Sequence, residues 1–319
     1  MKLDLPGVAT EFAEAADRAL SALGDVDCAR RAEADPGLRS SVVAPALGAL
    51  GLHDLDPRYD LDTACAAAEL CRVAGRRVLP YPVAAVLMAG REGRPLAVAG
   101  SKGRPRADHG GLFESWALAS LDGSCRQAGA SGGPLGSRLG PFVTDLRPGG
   151  PLDPLAPSDL ALLLALGAWR VLGVVERAVE LAVEHVSQRE QFGQALSRFQ
   201  TVQFALADAS VWRDGLRELC HYTLWRIHTD PDASLSDALV LRVHALDAAR
   251  SVLRTSQQLH GAAGMCDEYD ISILCRHAQP ELRLPFGVEQ TAEHAFTAIG
   301  ESGFEGLFPQ GGPGAEGAR

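Results

Sequence analysis

The feature that most constrains the fold is a set of three long segments whose apolar residues recur with helical spacing. They run from residue 159 to 188, from 198 to 228, and from Ser236 or Asp237 to His260. A helix with such a periodic apolar face needs packed neighbours. Because the connections are short and the lengths similar, the three helices are predicted to pack antiparallel. Residues 158–300 are therefore predicted to form a C-terminal antiparallel bundle of the four-helix type.

The remainder of the chain divides by composition, and the predicted fold class is mainly α. Residues 1–90 carry amphipathic patterns that predict a helical N-terminal domain, whereas residues 91–157 are rich in Gly and Pro and predict a short, truncated, β-rich middle domain. Residues 301–319 are predicted to be a disordered tail. The other predicted helices lie at 4–24, 39–51, 62–78, 271–279 and 285–299, and the predicted strands at 95–99, 115–119 and 141–143.

Two local features belong to this prediction. Asp62 and Thr63 are expected to cap the third N-terminal helix, and Pro157, Ser158 and Asp159 to cap the first bundle helix. The glycine-rich stretch 129–140 lacks the spacing of a phosphate-binding loop and is interpreted as a flexible connection.

Composition excludes some classes of function. The chain has 319 residues, of which 46% are hydrophobic and 22% charged, as in a globular protein. A net charge of −10 argues against nucleic-acid binding. Seven cysteines without a Cys-x-x-Cys pair indicate reduced thiols in the cytoplasm, and the scattered histidines predict no metal site. We expect no signal peptide, no segment of about 20 apolar residues, and no membrane contact.

The turn between the first two bundle helices carries more chemistry than a helical hairpin needs. Arg189, Gln191, Phe192 and Gly193 lie within five residues, and Gln200 follows. Arginine is well shaped for bidentate contact with phosphate. The alternative is an arginine in a salt bridge beside an ordinary loop.

This turn, Arg-x-x-Phe-Gly between two bundle helices, resembles that of the acyl-CoA dehydrogenase family. Three further stretches are similar to the family's patterns: 203–208 (QFALAD), 258–264 (QLHGAAG) and 69–82 (ELCRVAGRRVLPYP). The last resembles the N-domain helix of actinobacterial members that degrade steroid side chains. The chain looks most like the short subunit of heteromeric enzymes from that group.

The resemblance implies an FAD whose diphosphate and adenosine half is bound across a dimer interface. It implies that Arg189 pairs with the diphosphate, that the turn with Phe192 and Gly193 reaches the cofactor, and that Gln200 contacts the adenosine. It also implies that the backbone at Gln258, Gly261 and Gly264 approaches the same end of the FAD. The implied substrate is an acyl-CoA or an acyl carrier thioester.

The resemblance also predicts where a catalytic carboxylate should stand, and this chain has none there. The two positions that supply the general base in different members fall on Leu163 and Pro285. Asp159 lies one turn before Leu163 and is a weak candidate, since a cap role competes. Glu289 and the series Glu176, Glu180 and Glu184 are interpreted as solvated surface residues.

Three hypotheses follow. The first is a subunit that completes the FAD site of a homologous catalytic partner and lacks the usual Glu. The second is an autonomous homodimeric flavoenzyme with a non-standard base such as Asp159. The third is a flavin-free scaffold or acyl-binding homologue.

Overall fold

The computed structural model describes residues 7–90, 92–100 and 103–302, so most of the predicted C-terminal tail lies outside the described residues. The N-terminal part is helical, as predicted, but it contains two helices more than the sequence predicted, Val26–Ala34 and Val83–Leu87, and a π-helical turn at Arg39–Val43. Its helices are α1 (Gly7–Ser21), α2 (Val26–Ala34), α3 (Ala44–Ala49), α4 (Leu61–Arg76) and α5 (Val83–Leu87).

The predicted caps were wrong at both helices. Asp60, not Asp62 or Thr63, caps α4, because its side chain accepts a 2.7 Å hydrogen bond from the backbone N–H of Thr63. Ala156 precedes the first bundle helix and makes no side-chain cap, and Asp159 instead accepts from Arg58 at 2.7 Å. At α4 the capping residue thus lies two positions before the predicted one, and at the first bundle helix the predicted cap pairs with an arginine of another segment.

A five-stranded sheet forms the middle of the chain. Its order is β1-β3-β4-β5-β2, with β1 parallel to β3 and the other pairs antiparallel. The prediction missed β2, β4 and β5, and the strand that it placed at 141–143 ends just before β5 begins at Thr144. The strands are β1 (Leu96–Val98), β2 (Arg106–Ala107), β3 (Trp116–Ala119), β4 (Cys125–Ala130) and β5 (Thr144–Leu152).

β5 was missed because its sequence contains Pro148, Gly149, Gly150 and Pro151, which is typical of a turn. β2 pairs only with Thr144 and Asp145, so the rest of this edge of β5 has no partner strand in the described sheet. A proline is tolerated where no ladder hydrogen bond is needed from its nitrogen.

The bundle matches the prediction closely. Its long helices are α6 (Pro157–Gln188), α7 (Gln200–Thr229) and α8 (Ser234–His260), followed by α9 (Asp270–Arg283) and α10 (Val288–Ser302). α6 is the central helix, and it packs against α4, α7, α8 and α9. By length and composition α6 could cross a membrane, so the expectation of no such segment was wrong; 78% of its most apolar window is buried inside the fold, as in a core helix.

α4 and α6 cross in direct backbone contact because glycines lie at the crossing. A Cβ on Gly75 would lie 2.0 Å from the carbonyl oxygen of Arg170, and a Cβ on Gly173 would lie 1.8 Å from that of Arg72. Real side chains do not approach this closely, so only glycine permits this separation.

The interpretation of Glu176 as a surface residue was wrong. Its carboxylate is buried between helices and accepts from Arg72 at 2.7 Å and Arg217 at 3.0 Å. Arg72 also binds Glu69 at 2.6 Å. A buried carboxylate needs such partners, and here they come from α4 and α7, which the spacing along α6 alone does not reveal.

Candidate functional site

The turn between α6 and α7 is a small β-hairpin. Strands β6 (Glu190–Gln191) and β7 (Gln194–Ala195) pair antiparallel, and Phe192 and Gly193 form the two-residue loop with φ of 55° and 80°. Positive φ at both loop residues is the geometry of a type I′ turn. Glycine adopts it without strain, but a phenylalanine does so at a cost of about 1–2 kcal/mol.

The strained Phe192 is also exposed. Its side chain is 91% accessible, and its only ring contact among the described residues is an edge-on approach to Phe199, with ring centroids 6.2 Å apart. An aromatic side chain this exposed contributes little to the stability of the chain itself. Residues with a strained backbone concentrate at functional sites.

A cleft of about 690 Å³ lies beside the hairpin, between the C-terminal ends of α6 and α8. Arg189, Phe192, Gln258 and Gly261 line it, which brings together four of the seven predicted cofactor residues. The complete lining is His185, Gln188, Arg189, Gln191, Phe192, Leu196, Gln258, Leu259, His260, Gly261, Ala262, Ala263 and Tyr269.

The cleft is built for an anion. None of its lining residues is acidic, and Arg189 has no carboxylate partner within the described parts of the chain. The rings of His185 and His260 stack with centroids 4.3 Å apart. Burial, with help from His260 and Arg189, lowers the pKa of His185. An anion in the cleft would oppose that shift and favour the protonated imidazole.

Three predicted residues lie outside the cleft lining. Gly193 supplies the positive φ of the turn, and Gln200 is exposed at the first position of α7. Gly264 has a packing role, since a Cβ there would lie 2.6 Å from the carbonyl oxygen of Gln257.

A second cavity, of about 120 Å³, lies where the N-terminal helices, the sheet and the bundle meet. Leu163 and Pro285, the two positions without the expected carboxylate, both line it. Its walls are largely apolar, with Val83, Leu96 and Trp116 among them. Asp159 and Glu289 are not among the lining residues.

The same cavity contains a carboxylate that the sequence analysis did not single out, Asp108, directly after β2. Its side chain is 21% exposed. Burial raises the pKa of Asp108 to about 7, and Glu281 acts in the same direction. The opposing influences of Arg170, Arg39 and the backbone N–H of His109 are smaller than that of burial. The one available signal was an Asp-His pair before Gly110 and Gly111, in a stretch with few charges.

Comparison with known proteins identifies the bundle. Residues 164–290 match the family model for the acyl-CoA dehydrogenase C-terminal domain. This part of the chain therefore matches an acyl-CoA dehydrogenase C-terminal domain, and the family model covers 127 of the 319 residues. The resemblance and the mainly α fold class are thereby confirmed.

Two curated acyl-CoA dehydrogenases each match about a third of the chain. The short-chain specific enzyme of Megasphaera elsdenii is 32% identical over 112 residues, which are 35% of this chain and 29% of that enzyme. The probable acyl-CoA dehydrogenase YngJ of Bacillus subtilis is 28% identical over 109 residues, 34% of this chain and 28% of the relative. The matched segment thus spans less than a third of either relative.

The fold likeness to acyl-CoA dehydrogenases extends over nearly the whole chain. The steroid acyl-CoA dehydrogenase Tcur3481–Tcur3483 superposes with a TM-score of 0.78 at 18% identity, over 92% of this chain and 98% of that one. The ChsE4–ChsE5 complex of Mycobacterium tuberculosis superposes with a TM-score of 0.76 at 17% identity, over 95% of this chain and 100% of that one. The FAD complex of PigA superposes with a TM-score of 0.69 at 13% identity, over 94% of this chain and 99% of that one. The first two are named as assemblies of two proteins.

Proposed function

We propose that this chain is a subunit of an FAD-dependent acyl-CoA dehydrogenase. Its hairpin at Arg189–Ala195 binds the diphosphate and adenosine half of an FAD seated mainly in a homologous neighbouring subunit. The observation that carries the proposal is the cleft beside the hairpin, which has Arg189 and two histidines but no acidic residue in its lining.

The cleft fits a dinucleotide diphosphate on three counts. Its volume of about 690 Å³ suits a ligand larger than a single phosphate. The guanidinium of Arg189 is exposed there and can donate two parallel hydrogen bonds to phosphate oxygens. Amide groups of Gln188, Gln191 and Gln258 add neutral donors and acceptors for the sugar and base.

The hairpin tip favours a site shared with another subunit. Phe192 projects from the chain at 91% exposure, so its apolar ring needs a covering surface. Further exposed apolar residues, Phe204 and Val211, lie two helical turns apart on α7, which follows the hairpin directly. The heteromeric assemblies among the fold neighbours support a homologous partner, although a second copy of this chain has the same fold.

Bound FAD would supply the acceptor for the hydride that leaves the β-carbon of an acyl thioester. This chain's own residues bind and orient: Arg189 neutralises diphosphate charge, and the hairpin covers the adenosine end. The positions Leu163 and Pro285 carry no ionisable group, so neither can accept the α-proton. We propose that the partner supplies the usual Glu in the heteromeric assembly.

The test is the visible absorbance spectrum of the chain purified alone and after co-expression with a homologous subunit. The proposal expects flavin bands in the co-purified assembly. Flavin bands of equal strength in the chain alone would indicate an autonomous homodimeric flavoenzyme. If neither preparation binds FAD added in excess, the proposal is wrong and the scaffold hypothesis is favoured.

A further inference from the structure

We propose that Asp108 is a proton acceptor of this chain, facing a short acyl group bound in the cavity between the sheet and the bundle. The inference rests on the proposed function, because that function supplies the acyl thioester as ligand. It goes beyond that function because it gives this chain a catalytic residue of its own. Asp108 lies in neither of the two segments, around Leu163 and Pro285, that supply the base in the family.

The cavity has the size and lining of a small acyl site. At about 120 Å³ it is comparable to an apolar protein cavity of about 150 Å³ that admits benzene, so an acyl chain of about four to six carbons fits. Its lining runs from the buried Trp116 to the exposed Arg106, so the cavity reaches solvent beside β2. A thioester can therefore enter acyl end first.

The carboxylate of Asp108 is held by its neighbour. The guanidinium of Arg39 lies 3.1 Å from Nδ1 of His109, and since arginine only donates, this nitrogen is the acceptor. The other ring nitrogen, Nε2, therefore carries the proton and lies 3.4 Å from Oδ2 of Asp108. The second oxygen, Oδ1, accepts from the backbone N–H of His109 at 3.0 Å.

The backbone at His109 is strained, and the packing of its ring holds it in this conformation. His109 has φ of 57°, and its ring stacks on Phe142 with centroids 5.0 Å apart. Arg39 lies over the same Phe142 ring at 4.3 Å. A left-handed histidine at a buried position costs stability, and this cost is typical of sites where a side chain must be aimed.

The charges around Asp108 suit a group that gains and loses a proton near neutrality. Arg39 faces it from the N-terminal helical part, the adjacent His109 follows β2, and Arg170 and Glu281 face it from the bundle. Arg170 is itself paired with Glu281 at 2.9 Å, so its charge is largely compensated. A proton acceptor is most effective when its pKa lies near the working pH.

The same cavity offers compensation for the negative charge that proton removal creates. Arg242 lines it, is buried, and has an Nε–H without a hydrogen-bond partner within the described residues. The Nη2 group of Arg242 donates to backbone carbonyl oxygens, including that of Leu284 at 2.6 Å. A guanidinium in an apolar cavity stabilises a developing anion more strongly than it does in water.

The step is a reversible proton transfer. The C–H bond at the α-carbon breaks, its electron pair remains on the thioester as the enolate, and the proton forms an O–H bond with the Asp108 carboxylate. Return of the proton restores the thioester. The step needs no oxidant, and it is visible in deuterium oxide as exchange of the α-hydrogen.

The experiment uses the full chain purified without its partner subunit, so that the partner's Glu makes no contribution, with straight-chain acyl-CoA thioesters from acetyl-CoA to octanoyl-CoA. Mass spectrometry measures deuterium at the α-carbon. Wild-type protein should exchange a short-chain member of the series, with a rate that rises with pH to a plateau above about 7. Asp108→Asn should lower the rate by about 100-fold or more, while the control Glu114→Gln, an exposed carboxylate that does not line the cavity, should leave it unchanged.

A second variant tests whether a loss of exchange comes from the missing carboxylate or from damage to the cavity. Leu163→Glu in the Asp108→Asn background places a carboxylate elsewhere in the cavity lining and should restore exchange. Exchange by Asp108→Asn at the wild-type rate would overturn the inference, as would the absence of exchange with every thioester. Neither result depends on bound FAD, so flavin content measured on the co-expressed assembly tests the proposed function independently.

Discussion

At the scale of single residues, Phe192 shows a conflict between stability and function. It adopts a left-handed backbone that asparagine adopts more readily. Phe192→Asn should therefore raise the free energy of unfolding of the isolated chain by about 1 kcal/mol, measured by urea denaturation. The same variant should weaken assembly with the partner. Phe296→Asn is the matched control: Phe296 is 81% exposed on α10, and the change should not stabilise the chain.

Asp108 shows the same conflict through its pKa. The pKa of about 7 in the folded protein lies above the usual value near 4, so between these values the folded state holds the proton and the unfolded state does not. Stability therefore falls as the pH rises from about 4 to about 7. Asp108→Asn removes this loss and should be about 2–4 kcal/mol more stable than wild type above pH 7.

The control for this prediction is Asp122, whose pKa is lowered by hydrogen bonds from Ser124. Its carboxylate favours folding above the usual pKa, so Asp122→Asn should change the pH dependence in the opposite direction. Equal pH profiles of wild type and Asp108→Asn in thermal denaturation would contradict the assigned pKa.

At the scale of helices, the crossing of α4 and α6 depends on Gly173. Gly173→Ala places a Cβ against the backbone of Arg72, so the helices must separate, and the free energy of unfolding should fall by about 1–3 kcal/mol or more. Gly167→Ala on the same helix is the control. Its nearest neighbour is a side-chain oxygen of Glu281 at 3.9 Å, so the alanine should stabilise α6 by about 0.5–1 kcal/mol. An equal loss of stability in both variants would contradict the claim that the close contact of α4 and α6 specifically requires glycine at position 173.

The helices were predictable because their information is local. The apolar repeat of α6, α7 and α8 fixes their existence, and the short hairpin around Gly193 fixes their antiparallel order. β5 was not predictable, because its Pro148 and Pro151 are acceptable only at an unpaired edge that β4 and β2 define. The local sequence pattern predicts a helix or strand whose own residues determine its structure. It does not predict a strand, such as β5, that depends on the neighbouring strands.

At the scale of the whole molecule, the two candidate sites differ in how far the sequence reveals them. The cleft at Arg189 was predicted in part, because its lining comes from two short stretches, residues 185–196 and 258–269, and the sequence analysis singled out a motif in each. The cavity at Asp108 was not predicted, because its walls come from α5, the sheet, α6, α8 and α9. Burial decides the chemistry of Asp108, and burial is a property of the assembled fold.

The claim that the hairpin holds the FAD diphosphate is tested most directly by the flavin-to-protein ratio of the assembly carrying Arg189→Ala. Loss of charge-assisted hydrogen bonds of about 1.5–3 kcal/mol should weaken FAD binding by roughly 10- to 100-fold. Arg198→Ala is the matched control, because Arg198 is exposed on the next turn and does not line the cleft. A flavin deficit is expected in Arg189→Ala alone. Full flavin content in Arg189→Ala, with affinity equal to that of Arg198→Ala, would contradict it.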